Sequence, residues 1–146
     1  NGKNISVCFA PEDWCGNKII YALSEANKTV QFMTFSFTHD AIGKELVDLK
    51  SKGVSIKGVF ETSQNNSFTE YNRLHDAGID VRWDGNKYNL HDKVFIIDNS
   101  TVITGSFNPT SNADERNDEN LLIIHDTSIA ARYSKEFEKV WSEAVN

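Results

Sequence analysis

The residues best suited to chemistry lie in one stretch, His91-Asp92-Lys93-Val94-Phe95-Ile96-Ile97-Asp98, where an imidazole and an ammonium stand two positions apart at the start of an apolar run. Positions two apart on an extended strand share a face, so His91 and Lys93 project together while Asp92 and Asp98 point the other way. A nucleophile or base beside a fixed cation is what phosphoryl transfer requires. One group attacks phosphorus, and the other neutralises charge on the non-bridging oxygens. Asp98 reads as a structural carboxylate at a hairpin turn.

A second polar cluster follows at Gly105-Ser106-Phe107-Asn108. Glycine lets the backbone approach a ligand, and a hydroxyl and an amide can donate to phosphate oxygens. The stretch closes on Asn117-Asp118-Glu119-Asn120, where a carboxylate can accept the proton of a catalytic histidine's second ring nitrogen. Ser36 and Thr34 are candidates to face the same site. Arg82, Lys87 and Lys93 form a local basic patch that reads as a phosphate track or as a solvated face. Trp83, which precedes Lys87 to Leu90, is a candidate for the cleft lining, whereas scattered aromatics such as Trp14 and Trp141 read as core.

The remaining histidines, His39, His75 and His125, are each followed by Asp. Neighbouring residues on a strand face opposite ways and cannot easily hold one ion, which sets metal catalysis aside. His39 and His75 sit near helix ends as surface or capping residues. His125, at a strand end, is a weaker catalytic candidate than His91.

These groups need a scaffold, and short β-branched and aromatic runs alternating with helical patterns predict βαβ units with a partly parallel sheet. Strands are expected at Ile5 to Phe9, Val30 to Phe37, Val54 to Phe60 and Ile79 to Trp83. Helices are expected from Pro11 onward through Ile19, Leu23 and Ala26, from Asp40 to Lys52, and from a Ser67-Phe68-Thr69-Glu70 capping box to Gly78, with Gly53 and Gly78 as left-handed stops. Lys93 to Asp98, Asn99-Ser100 and Thr101 to Thr104 read as strand, turn, strand. Ser106 to Asp118 reads as a loop, Asn120 to Ile124 as a strand, and Thr127 to Val145 as a helix covering one face.

A length of 146 residues suits one domain spanning 1 to 146. No apolar run approaches the roughly 18 residues of a membrane-spanning helix. Fifteen basic against twenty-one acidic residues give a net charge of −6, so any polyanion site must be locally basic. Cys8 and Cys15 read first as two buried or inert thiols, with a local bridge in an oxidising compartment as the alternative. The start at Asn1-Gly2-Lys3 without Met suggests a processed or excised chain. Localisation stays open between the cytoplasm and, if a signal was removed and the cysteines are oxidised, the periplasm or outside.

His91, Lys93, Asp98, Gly105, Ser106 and Asn108 together resemble the signature of the phospholipase D superfamily: His-x-Lys, four residues, Asp, then Gly-Ser-x-Asn. Asn117-x-Glu119-Asn120 resembles the acidic element of its small nuclease members. Phe35-Ser36-Phe37-Thr38 and the strand and helix order before the signature look like that subfamily too. Pro109 departs from the pattern, standing where members often carry an aromatic or aliphatic residue. The resemblance implies a mixed, mostly parallel β-sheet flanked by helices on both faces, in a homodimer with a shared active site.

The chain holds one such motif, and displacement through a phosphohistidine needs one imidazole to attack and an acid opposite to protonate the leaving oxygen. A two-fold dimer would supply His91 twice. The expected function is metal-independent phosphodiester hydrolysis of nucleic acid, single-stranded DNA or RNA ahead of duplex. Lys93, Asn108 and Glu119 join His91 as catalytic residues, Ser106, Gly105, Ser36, Trp83 and Lys87 touch substrate, and no metal or cofactor takes part. The alternatives are a phospholipid phosphodiesterase of the same chemistry, marked by an apolar rim around the cleft, and a nucleic-acid-binding module that does not cut.

Overall fold

A computed structural model of the chain describes residues 4–146; the first three, on which the expectation of a processed terminus rests, lie outside the described residues. The elements run β1 (Asn4–Ala10), α1 (Cys15–Ser24), β2 (Thr29–Thr34), α2 (Asp40–Ser51), β3 (Ser55–Phe60), a 3-10 turn (Thr62–Gln64), α3 (Tyr71–Asp76), β4 (Asp80–Trp83), β5 (Lys93–Ile97), β6 (Thr101–Gly105), α4 (Ser111–Glu115), β7 (Glu119–His125) and α5 (Thr127–Glu143). The seven strands of the described residues form one sheet in the order β1-β7-β6-β5-β2-β3-β4. The sheet is mixed, with helices on both faces.

One part of the expected topology needs correction. Only the β2–β3 and β3–β4 pairs are parallel, while β1–β7, β7–β6, β6–β5 and β5–β2 are antiparallel, so the sheet is not mostly parallel in its pairing. The βαβ grammar holds through β4. After it, β5 returns antiparallel beside β2, and the β5–β6 and β6–β7 connections each reverse the chain.

Alternation along the strands sorts the core into two layers. Phe32, Phe95 and Ile97 pack with Ile19, Leu23, Ile42, Leu46 and Leu74 beneath α1, α2 and α3. Met33, Val94, Ile96 and Val102 meet Phe137, Val140 and Trp141 of α5 on the other face. Under the first layer, Phe32 stands at 5.7 Å from Phe37 and 5.4 Å from Phe60, both edge to face. Phe32 is paired with Gly58, where any side chain would overlap the ring. Burying a ring of this size contributes roughly 2–3 kcal/mol.

Helix ends follow the local chemistry. Gly53 and Gly78 take φ of 92° and 76°, and the following amides return to Leu49 and Leu74, closing α2 and α3 as expected. The Ser67 capping box does not form, because α3 starts at Tyr71 and the Glu70 side chain turns inward onto Gly43 and Arg73. The hairpin turn is centred on Asp98-Asn99, both at positive φ, rather than Asn99-Ser100. Cys8 and Cys15 are joined in a disulfide, with Cα atoms 5.9 Å apart, which replaces the expectation of separate thiols. Trp14 is exposed rather than core. No helix of the described residues is long and apolar enough to cross a membrane.

Candidate active site

Strand directions gather the polar motifs at one end of the sheet. Lys93 opens β5 opposite Thr34, the last residue of β2. The β5–β6 register, continued from Phe95↔Ile103, sets Lys93 beside Gly105, and Gly105 pairs with Leu121 near the start of β7. His91, Lys93, Ser106, Asn108 and Glu119 therefore all lie at the same end of the sheet, carried by three adjacent strands.

His91 and Lys93 share a face, as the two-residue spacing requires. The Lys93 ammonium lies 3.2 Å from His91 Nδ1 and donates to the His91 carbonyl at 2.7 Å. Burial pushes the Lys93 amine below the usual lysine range, against the upward pull of Asp92 and Glu119. That pull also ties the β7 carboxylate electrostatically to the β5 pair. Asp92 is pushed up by burial and by Glu136, with Lys93 and His91 opposing.

Phe35 completes this corner; in the sequence it stands out only within the Phe35-Ser36-Phe37-Thr38 pattern and not as a site residue. Its amide donates to the Asp92 carbonyl at 2.9 Å, extending the β2–β5 ladder past Lys93. Its ring lies 4.6 Å from the His91 ring and 5.3 Å from the Lys93 ammonium. Only the pairing of β2 with β5 across the fold brings it there.

The approach to His91 is held by a buried carboxylate, Glu61, which sequence reasoning also missed. One oxygen accepts the Leu90 amide at 2.6 Å and the other the Ser63 amide at 2.9 Å. Charge-assisted bonds to buried amides are among the stronger ones in a fold. The residue before the imidazole is thus pinned to the end of β3.

On the other side, Gly105 runs so close to the Asn120 carbonyl that a Cβ would overlap it. This approach lets the Ser106 hydroxyl donate to Glu119 while accepting the Asn120 amide at 3.0 Å. Asn117 donates to the second Glu119 oxygen at 3.1 Å. The single proton of Ser106 is committed to Glu119 in this state. Glu119 meets Ser106 and Asn117 rather than the His91 ring of its own chain. Asn108 is half-buried, and its Oδ1 meets no hydrogen-bond donor among the described residues. Pro109 is buried, and its carbonyl accepts the Thr38 and His39 amides, docking the Asn108 turn onto the loop before α2.

Other sequence candidates are placed elsewhere. Asp98 caps the far end of β5, where it accepts the amides of Asn27, Lys28 and Thr29, each at 2.8 Å. Burial favours its neutral form, but those three bonds outweigh it and hold the carboxyl below the usual range. Trp83 stacks on Tyr71 at 4.2 Å and meets Phe60 at 5.9 Å, so its ring belongs to the aromatic packing and not to the His91 corner. Arg82 lies over the Trp141 ring at 3.9 Å, away from a track with Lys93. Lys87 is exposed, with its ammonium 4.9 Å from the Tyr88 ring. Ser36 is half-buried in the loop beyond β2, and Thr34 is fully buried. His39 pairs with Asp114 at 3.5 Å, and His125 Nδ1 meets Thr101 at 2.9 Å at the far end of the sheet.

The chain has counterparts in sequence and in fold. Residues 19–141 match the family model described as cardiolipin synthase, PLD-like domain. A phospholipase D of Rickettsia prowazekii is 33% identical over 99% of this chain and 72% of its own length, and one of Rickettsia typhi is 35% identical over 90% and 65%. A mitochondrial cardiolipin hydrolase of Xenopus tropicalis is 30% identical over 97% of this chain and 68% of its own. The chain thus spans about two thirds of the length of these relatives. The crystal structure of Nuc from Salmonella typhimurium, a phospholipase D family member, superposes with a TM-score of 0.92 at 31% identity, covering 99% of this chain and 97% of that one. NucT from Helicobacter pylori superposes at 0.93 with 26% identity and 99% coverage of both. This chain belongs to the phospholipase D superfamily of phosphodiesterases.

Proposed function

We propose that this chain hydrolyses the phosphodiesters of nucleic acid without a metal, single strands ahead of duplex, through a phosphohistidine on His91. The observation that carries this reading is the exposed His91 ring beside a half-buried Lys93 ammonium at the end of the sheet. The imidazole attacks phosphorus and the bond to the leaving oxygen breaks. Water then displaces the histidine, releasing the phosphomonoester. Lys93 and the Asn108 amide hold the non-bridging oxygens, and Glu119 fixes Ser106 and the turn that carries Asn108.

Attack needs an acid on the opposite side of phosphorus, and we assign that role to His91 of a second copy in a two-fold dimer. Support comes from Ile5, Val7 and Phe9, which are exposed on the edge strand β1; Phe9 also borders a cavity with Glu119 and Asn120. Such an apolar strip is suited to burial by another subunit.

A phospholipid substrate of the same chemistry is the second reading. Phe68 stands exposed in the loop before α3 as an apolar contact, and relatives bear lipid-hydrolase names. The deciding experiment incubates labelled single-stranded DNA, single-stranded RNA and duplex DNA with wild type and His91→Ala at low salt in excess EDTA. Cutting by wild type alone is expected. Failure to cut any nucleic acid sinks the first reading, and cardiolipin vesicles run in parallel then decide the second.

A further inference from the structure

The loop between β4 and β5 leads directly into His91, and it is unusually well tied for a surface loop. The Asp84 amide donates to the Phe60 carbonyl at 2.8 Å, and the Thr62 hydroxyl donates to the Asp84 carbonyl at 2.6 Å. Asn86 bridges the turn, donating to Asp84 Oδ1 at 3.0 Å and accepting the Tyr88 amide at 2.7 Å. Glu61 closes the loop by holding the Leu90 amide. On this frame Tyr88 is held out with 71% of its surface exposed, and the Lys87 ammonium lies 4.9 Å from its ring.

A large ring kept in water costs apolar burial that the core could have used. The cost has a use when the ring stacks on a ligand, because a loop backbone already ordered by its own hydrogen bonds loses little freedom on binding. Tyr88 is three residues from His91, so their Cα atoms are at most about 11 Å apart. That places the ring within reach of the nucleotides flanking a phosphate held at His91. Stacking also suits a chain of net charge −6, which cannot rely on bulk attraction to a polyanion. A membrane would call for a broader apolar surface, but the neighbours of Tyr88 on its loop are Lys87 and Asn89.

Resting on the nucleic-acid reading above, we propose that Tyr88 is a stacking platform for a nucleobase next to the scissile phosphate, with Lys87 contacting the adjoining phosphate. The ring that serves the cleft is thus Tyr88, while Trp83 stays in the packing. Binding to an unpaired base is the specificity this confers, since a stacked duplex offers no free base face.

The test measures binding, so it stands apart from cleavage. In a His91→Ala background, fluorescence anisotropy follows short oligothymidylate and an abasic strand of the same length. Tyr88→Ala is expected to weaken oligothymidylate binding about 10-fold and abasic binding little, with Tyr88→Phe keeping most of the affinity. Lys87→Ala is expected to lower the slope of log affinity on log salt by about one. An unchanged affinity in Tyr88→Ala, or an equal loss on the abasic strand, overturns the platform. So does a loss seen only on phosphatidylglycerol vesicles, which would make Tyr88 a membrane contact. Hydrolysis of bis-para-nitrophenyl phosphate by the wild type tests the phosphodiesterase chemistry independently. If that fails while oligothymidylate binding depends on Tyr88, only the chemistry is wrong.

Discussion

The two ends of strand β5 belong to one motif and are built on opposite terms. At the first end, His91 is exposed and Lys93 is held below its ordinary basicity by burial. At the other, Asp98 accepts three backbone amides and is held below the usual carboxylate range despite burial. The same contrast extends to neighbouring carboxyls. Asp92, Asp84 and Glu70, all at the His91 end, are pushed up chiefly by burial. For these groups bonds outweigh burial at one end and burial outweighs the partners at the other, and of the latter Lys93 is the one that an anionic phosphodiester would satisfy.

The sharpest way to break this comparison is His91→Ala. Turnover is expected to fall by roughly 1,000-fold or more with Tm unchanged, as measured by gel-based cleavage and thermal melts. A large loss of Tm would make His91 a structural residue after all. Lys93→Met should reduce kcat by about 100-fold. It should also raise stability at neutral pH, because the folded state binds the Lys93 proton less tightly than the unfolded chain does. Losing stability in Lys93→Met would place Lys93 with Asp98, on the satisfied side.

Asp98→Asn probes the other end. Removing a charge that accepts three amides should cost about 3 kcal/mol, or about 10 °C in Tm, without lowering kcat at temperatures where the variant is folded. The sign in pH follows from the depressed pKa: the stabilisation is present above the unfolded carboxylate value and is lost as pH falls through the folded one. Variant and wild type should therefore converge in strong acid. A variant that melts normally but no longer turns over would give Asp98 a role in the chemistry.

The division between these ends was partly legible in the sequence. The spacing of His91 and Lys93 placed them on one face, and the turn position of Asp98 marked it as structural. Their environments were not legible, because they depend on pairings between distant segments. Phe35 reaches His91 only through the β2–β5 ladder, and Glu61 reaches Leu90 across 29 residues. The parallel share of the sheet was overread for the same reason, since local strand signals do not say which strands pair. Helix α4 escaped because five residues with Ala113 as their buried contact show no helical period. Trp83 and Tyr88 are alike by type, and the contacts of Trp83 with Tyr71 and Phe60 decide which ring is withdrawn.

The smallest expected effect comes from Glu70, and it tests whether the dominance of burial at the His91 end reaches beyond His91 and Lys93. Its carboxylate is buried 3.3 Å from Arg73 Nε, and Arg73 also binds Asp40 at 3.0 Å, so one guanidinium serves two acids. Burial outweighs Arg73, and with Asp40 adding to it the Glu70 pKa rises to about 7. Between the ordinary carboxylate value and about 7 the folded state keeps a proton that the unfolded chain has released. Stability therefore falls as pH rises through that window. Glu70→Gln removes the penalty, and should raise stability above pH 7 by about 1–2 kcal/mol after allowance for solvent screening, with no gain near pH 4. Thermal melts across that pH range read the difference directly. Equal destabilisation at both ends would mean that the Arg73 pair outweighs desolvation, so that this carboxyl is as well satisfied as Asp98 and the contrast is confined to His91 and Lys93.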